Sequence, residues 1–265
     1  MASLRKKKSG ARRGALGLIG LSAGALLASS ILPANALGWA STPAAAGRSS
    51  NAGVTHPELD HLGSTVAAHE PVRSVDRAQA QTYTVRTQSA AATVAGMDVS
   101  GHQGSVDWHT AYGNGARFAY VKATEGTGYT SPDFGQQYNG SYHVGMIRGA
   151  YHFALPNVSS GAAQADYFVD HGGGWSADGK TLPPMLDIEY NPYGAECYGK
   201  TGAQMSSWIK SFSDEVFART KKYPTIYSTT DWWKTCTANT GDFHSTNPLF
   251  IARYSSSPGA LPYHW

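Results

Sequence analysis

The stretch from residue 93 to residue 265 predicts an α/β protein, folded as an irregular, TIM-barrel-like (β/α) barrel. Three observations carry that expectation. Runs rich in β-branched and aromatic residues alternate with segments suited to helices, the order of β-α units around a mainly parallel sheet. The strand runs are apolar on both faces, as strands covered on both sides of a parallel sheet must be. The span of about 170 residues is short for eight full units, which take roughly 250, so the barrel is expected to be incomplete or irregular.

The elements follow in order. Residues 94–99 read as a strand, and a helical stretch opens near Ser105-Val106-Asp107-Trp108. Residues 117–123 are the second strand and 132–144 the second helix. Residues 147–154 form the third strand, and 159–170 the third helix with Ser160 as its N-cap. A fourth strand covers 182–189, and a long amphipathic helix covers 201–220. Residues 224–228 and 249–253 are the fifth and sixth strands, and no internal repeat is visible.

Upstream the character differs. A basic start is followed by an apolar stretch from Ala15 to Leu32, then Pro33 and Ala34-Asn35-Ala36. These are the n-region, h-region and A-x-A site of an export signal, with cleavage expected after Ala36. The apolar stretch, about 18 residues, sits at the lower margin for spanning a bilayer, so a membrane anchor is the competing reading. Arg12-Arg13 leaves twin-arginine export open. Residues 37–92 are Ala/Ser/Thr-rich without a sustained apolar period and read as a disordered linker or propeptide. His56, His61 and His69 fall inside it and read as solvated rather than metal-binding.

The formal charge of +3 invites a nucleic-acid or membrane reading, but six of the 21 basic residues lie before Leu16. Without them 15 bases face 18 acids, so that reading falls away. Cys197 and Cys236 are an even pair in an exported chain, which reads as a disulfide, with two buried free thiols as the alternative.

In parallel β/α architectures reactive groups gather where strands end. The first strand ends in Met97-Asp98-Val99-Ser100, the second runs into Lys122-Ala123-Thr124-Glu125, and the fourth closes on Asp187-Ile188-Glu189-Tyr190. Asp187 and Glu189, two apart on a strand, share a face. Desolvating two acids together favours one keeping its proton while the other stays ionised, the division that general acid catalysis needs. A solvated or salt-bridged pair is the bland alternative. Tyr151, Tyr190, Tyr193, Tyr227, Trp232 and Trp233 fall near strand ends, where aromatic faces suit sugar rings, whereas His152 reads as a buried, hydrogen-bonded histidine. No G-x-S-x-G, H-E-x-x-H or G-x-x-x-x-G-K-[ST] occurs, and no metal or cofactor is expected.

The series G-M-D-V-S (96–100), F-A-Y-V-K-A-T-E-G (118–126), I-R-G-A-Y-H-F-A (147–154) and L-D-I-E (186–189) resembles the family 25 glycoside hydrolases, the Chalaropsis-type N-acetylmuramidase lysozymes. The resemblance implies hydrolysis of the β-1,4 bond between N-acetylmuramic acid and N-acetylglucosamine in peptidoglycan by a secreted, monomeric enzyme. It implies Glu189 as the proton-donating acid; separately, the apolar strand and the like charge of Asp187 are expected to raise its pKa. By the resemblance Asp187 becomes the carboxylate that steers the substrate's 2-acetamido group, Asp98 a further catalytic acid, and Tyr151 and Tyr227 aromatic groups lining the cleft. Glu125 and Trp232, near strand ends, are added as substrate contacts on placement alone. Gly101 before His102-Gln103-Gly104 departs mildly from the family pattern. The family continues past the position of Trp265 with a W-Q-Y-like segment and another acidic motif, so the closing strands are expected to be missing here. A wall-binding module without turnover and a hydrolase of chitin-like polymers are the competing functions.

Overall fold

The computed structural model describes residues 53–70, 93–254, 259–263 and 265, which belong to one unit spanning Gly47–Trp265. The leader expected over residues 1–36 lies outside the described residues, and among those described no helix is long and apolar enough to cross a membrane.

A short helix, α1 (Val66–His69), precedes the barrel. Then follow β1 (Gly96–Val99), α2 (Trp108–Gly113), β2 (Phe118–Glu125), β3 (Tyr129–Thr130), α3 (Phe134–His143) and β4 (Ile147–Phe153). The rest of the chain forms α4 (Gly161–Asp170), β5 (Met185–Asp187), α5 (Gly202–Thr220), β6 (Thr225–Ser228), α6 (Thr230–Thr237) and β7 (Leu249–Ile251). The helix starts follow from side-chain caps: Asp107, Ser160, Thr201 and Thr229 each accept a backbone N–H from the first turn. Thr201 and Gln204 form a reciprocal capping box. Strand β5 is shorter than the 182–189 expected, because Pro183 and Pro184 have no N–H to add to a ladder. Helix α6 and the hairpin strand β3 are absent from the sequence reading.

The sheet runs β1-β2-β4-β5-β6-β7 with every neighbouring pair parallel, and β3 folds back antiparallel on β2. It curls into a parallel half-barrel, the incomplete TIM-like architecture that the sequence predicts. Among the described residues β1 and β7 each pair on one side only.

Alternation along the strands sorts the side chains. Leu186, Ile188 and Ile226 face outward and join Phe168, Ile209 and Phe212 in the main core under α4, α5 and α6. Val99, Ala119 and Val121 face outward beneath α2 and α3, packed on Trp108 and Met146. The inner face carries Tyr120, Tyr151, Met185 and Tyr227, with Leu62 from the N-terminal segment inserted among them. His152, next to Tyr151, therefore points the other way. Its ring nitrogens lie 2.7 Å from Thr124 Oγ1 and 2.9 Å from Gln164 Oε1, and it packs on Phe168 and Phe212, as the sequence suggested.

Cys197 and Cys236 are bonded across a separation of 39 residues, tying the loop after β5 to α6. Closing a loop of this size constrains the unfolded chain by about 3–4 kcal/mol. Replacing both cysteines with serine should lower the unfolding free energy by roughly that amount in urea titrations.

Burial pushes the His152 pKa down to about 3, whereas an unfolded histidine titrates near 6.5. Unfolding therefore takes up a proton between these values. The contribution of His152 to stability should fall as the pH drops from 6.5 towards 3, so His152→Gln should gain stability relative to wild type across that range in urea unfolding.

Candidate active site

Strand β5 stops at Asp187, but the chain stays tied to its neighbours. Ala154 N donates to Asp187 O at 2.9 Å, and Ile188 N donates to Tyr227 O at 3.0 Å. That extended path holds Glu189 on the same face as Asp187, as the period of two requires. Both carboxylates are fully buried. Asp187 pairs in register with Tyr227 on β6, and Tyr151 on β4 lies beside Met185. Asp98 sits in β1 opposite Tyr120, partly buried on the same inner face. The structure thus brings together Asp98, Tyr151, Asp187, Glu189 and Tyr227.

The second strand adds a charged pair. Lys122 Nζ lies 2.7 Å from Glu125 Oε2, and neither side chain is exposed. Residues three apart on a regular strand face opposite ways, but the β2–β4 register shifts between Lys122 and Thr124 and returns Glu125 to the inner side. Burial pushes the Glu125 carboxyl up, to about 8, while the ammonium pulls it down. With all three ammonium protons placed on acceptors, the geometry is that of a charged pair. Lys122 was not singled out as a site residue in the sequence, because the bulge that reunites it with Glu125 has no sequence signature.

Trp232 is a correction. It lies in the first turn of α6 and is completely buried in the main core, with no ring face open to a sugar. The reason is that Thr229 caps a helix directly after β6, which turns the Trp232-Trp233 pair into the interior instead of leaving it on a strand-end loop.

Residues 53–70, inside the stretch read as a linker or propeptide, lie against this face. Glu189 Oε1 accepts from Gly63 N at 2.8 Å, and Oε2 accepts from Thr65 Oγ1 at 2.6 Å and Thr65 N at 3.3 Å. The histidines expected to be solvated are in contact: the His69 ring stacks on Tyr190 with centroids 4.1 Å apart, and His61 lies against His102.

Protonation follows from these contacts. Burial raises Glu189 to about 7, against the three hydrogen bonds that favour its charged form. The rise matches the expectation, with burial as its largest cause; Asp187 enters as a hydrogen bond that lowers it. Among the described residues no N–H or O–H donates to Asp187, and burial together with the neighbouring charge of Glu189 lifts its pKa far above the carboxylate range. With Glu189 covered in this way, Asp187 is the acid that keeps its proton and Glu189 the one that ionises, the reverse of the roles expected from sequence.

An unfolded aspartate ionises near 3.9, so above pH 4 unfolding of this chain releases the Asp187 proton, and the share of stability that this group contributes is lost as pH rises. Asp187→Asn should be more stable than wild type at pH 7–8, and the two should converge near pH 4 in urea unfolding.

A sequence profile of the Glycosyl hydrolases family 25 matches residues 97–264. The N,O-diacetylmuramidase of a Chalaropsis species is 52% identical over 177 residues, covering 65% of this chain and 84% of the relative. Lysozyme M1 of Streptomyces globisporus is 49% identical, covering 64% of this chain and 58% of that protein. The solved muramidase of Acremonium alcalophilum superposes with a TM-score of 0.63 at 55% identity, over 64% of this chain and 82% of its own. The inward acids at the end of β5, the curled parallel sheet and these matches have one conclusion: the chain belongs to glycosyl hydrolase family 25.

Proposed function

We propose that the chain is an exported N-acetylmuramidase that hydrolyses the β-1,4 bond between N-acetylmuramic acid and N-acetylglucosamine in peptidoglycan. The observation that carries this reading is the pair Asp187 and Glu189, buried side by side at the end of β5 in a chain 52% identical to a protein named N,O-diacetylmuramidase. The basic and apolar leader before Ala36 supports export.

In the uncovered enzyme Glu189 carries the proton and gives it to the glycosidic oxygen as the bond to the anomeric carbon breaks. The carbonyl oxygen of the substrate's 2-acetamido group bonds to that carbon, and Asp187 accepts the amide N–H and balances the charge that develops there. Substrate assistance of this kind is a recognised exception to the two-carboxylate schemes. Water then adds to the anomeric carbon and displaces the acetamido oxygen, whose bond to that carbon breaks, as Glu189 takes the proton from the water. The inner face suits the task, since the aromatic and apolar side chains beside both acids strengthen electrostatic interactions there. Asp98 contributes further negative potential, and the rings of Tyr151 and Tyr227 line the cleft. Glu125 reaches the sugar from the end of β2. The active form is monomeric and needs no cofactor.

The test is clearing of purified cell walls together with new muramic-acid reducing ends. Because residues 63 and 65 contact Glu189, the assay includes protein cut at an endoprotease site introduced within residues 71–92. Glu189→Gln should lose on the order of 10²–10⁴ in turnover, the usual worth of a general acid. Equal rates for the variant and the wild type would remove Glu189 from its role. Wall binding without new reducing ends would replace the enzyme reading with a binding module, and new N-acetylglucosamine ends would point to a chitin-like substrate.

A further inference from the structure

Residues 53–70 lie outside the family match, which begins at residue 97, yet they make polar contacts with Lys122, Glu189, Tyr190 and Tyr193 of the barrel. Lys122 is the clearest case. Its ammonium has three protons and three acceptors: Glu125 at 2.7 Å, the carbonyl of Pro57 at 2.7 Å and the carbonyl of Asp60 at 2.5 Å. Two of the three acceptors of a completely buried cation therefore come from the N-terminal segment. The Asp60 carboxylate in turn receives the hydroxyl of Tyr193, and Glu70 receives that of Tyr190 at 2.7 Å.

The apolar contacts agree with the polar ones. Leu62 is buried among Tyr151, Met185 and Tyr227, in the space beside the two acids. Gly63 adopts φ +78°, and a Cβ there would meet the hydroxyls of Tyr254 and Tyr227 at 2.8 and 2.9 Å. No other residue type fits that position without moving a cleft tyrosine or straining the backbone. The segment is thus fitted to the cleft at its cation, at its acid and at the rings between them.

We propose that residues 53–70 are an intramolecular inhibitor that docks in the glycan cleft and caps Glu189. The inference rests on the assignment of Glu189 as the acid. Two effects combine. The segment fills the place where a glycosidic oxygen must approach, and its three donors favour the charged form of Glu189, the form that cannot protonate a leaving group. Belonging to the same chain strengthens the first effect: at an effective concentration on the order of 1 mM, a dissociation constant of about 10 µM for the free peptide leaves the cleft about 99% covered. Release would then raise turnover by roughly 100-fold. An endopeptidase that hydrolyses a peptide bond within residues 71–92 removes the tether and lets the segment dilute away.

The experiment compares the intact wild-type chain with intact Gly63→Val, which changes a residue outside the catalytic machinery. Two readouts are used: the initial rate of wall clearing, and calorimetric binding of a synthetic peptide of residues 53–70. Gly63→Val should clear walls at least 10-fold faster than wild type. It should bind one equivalent of the peptide, while wild type, its cleft already filled, binds none. The peptide should slow the variant back towards the wild-type rate, and a peptide carrying Leu62→Asp should not. Equal, measurable clearing by both chains overturns the inference, as does a folded Gly63→Val chain that binds no peptide. If neither chain clears walls but only the variant binds the peptide, the docking stands and the peptidoglycan reading fails. Should Gly63→Val not fold, the full chain cut within residues 71–92 replaces it. Its clearing rate must then rise on dilution, or its cleft must take up the peptide once diluted, and failure of both overturns the proposal.

Discussion

The site depends on the burial of like charges where a parallel strand stops. Asp187 and Glu189 leave β5 on one face, and neither is reached by solvent in this structure. Desolvation makes two ionised carboxylates in that place too costly, so one proton is retained between them. Which of the two keeps it is set by whichever groups donate hydrogen bonds nearby. The same burial that makes the pair reactive makes it sensitive to anything that supplies N–H or O–H groups from above.

The rest of the fold serves to hold that pair in place. The outer face of the sheet is an apolar core under α4, α5 and α6, with the disulfide tying the loop after β5 to α6. The inner face is aromatic and charged, and its one completely buried lysine needs three acceptors. Glu125 supplies one. A buried ammonium short of partners carries a large free-energy penalty, and the N-terminal segment relieves it with two carbonyls. Residues 53–70 thus supply both the carbonyls that complete the Lys122 ammonium and the donors that reach Glu189.

Most of the barrel is legible in the sequence because its signals are local. Ser160 and Thr201 mark helix starts through hydrogen bonds three residues away. The strand runs stand out because both of their faces are apolar. The errors have physical causes as well. Composition places the start of the fourth strand at Leu182, whereas two prolines delay its pairing until Met185. Trp232 looked like a strand-end platform because the helix capped by Thr229 was read as loop. Residues 53–70 carry too few apolar side chains to suggest order. Their order comes from polar contacts with a surface that only the folded barrel presents.

The sequence by itself determined that Asp187 and Glu189 share a face, since a strand's period of two needs no other information. It also determined the family, through four strand-end motifs in order. Only the tertiary structure decided the state of the two acids. The donors to Glu189 come from residues 126 and 124 positions away, and Lys122 and Glu125 meet through a bulge. Protonation in a buried site is governed by hydrogen-bond partners within about 3 Å, and distance along the chain carries no record of who those partners are.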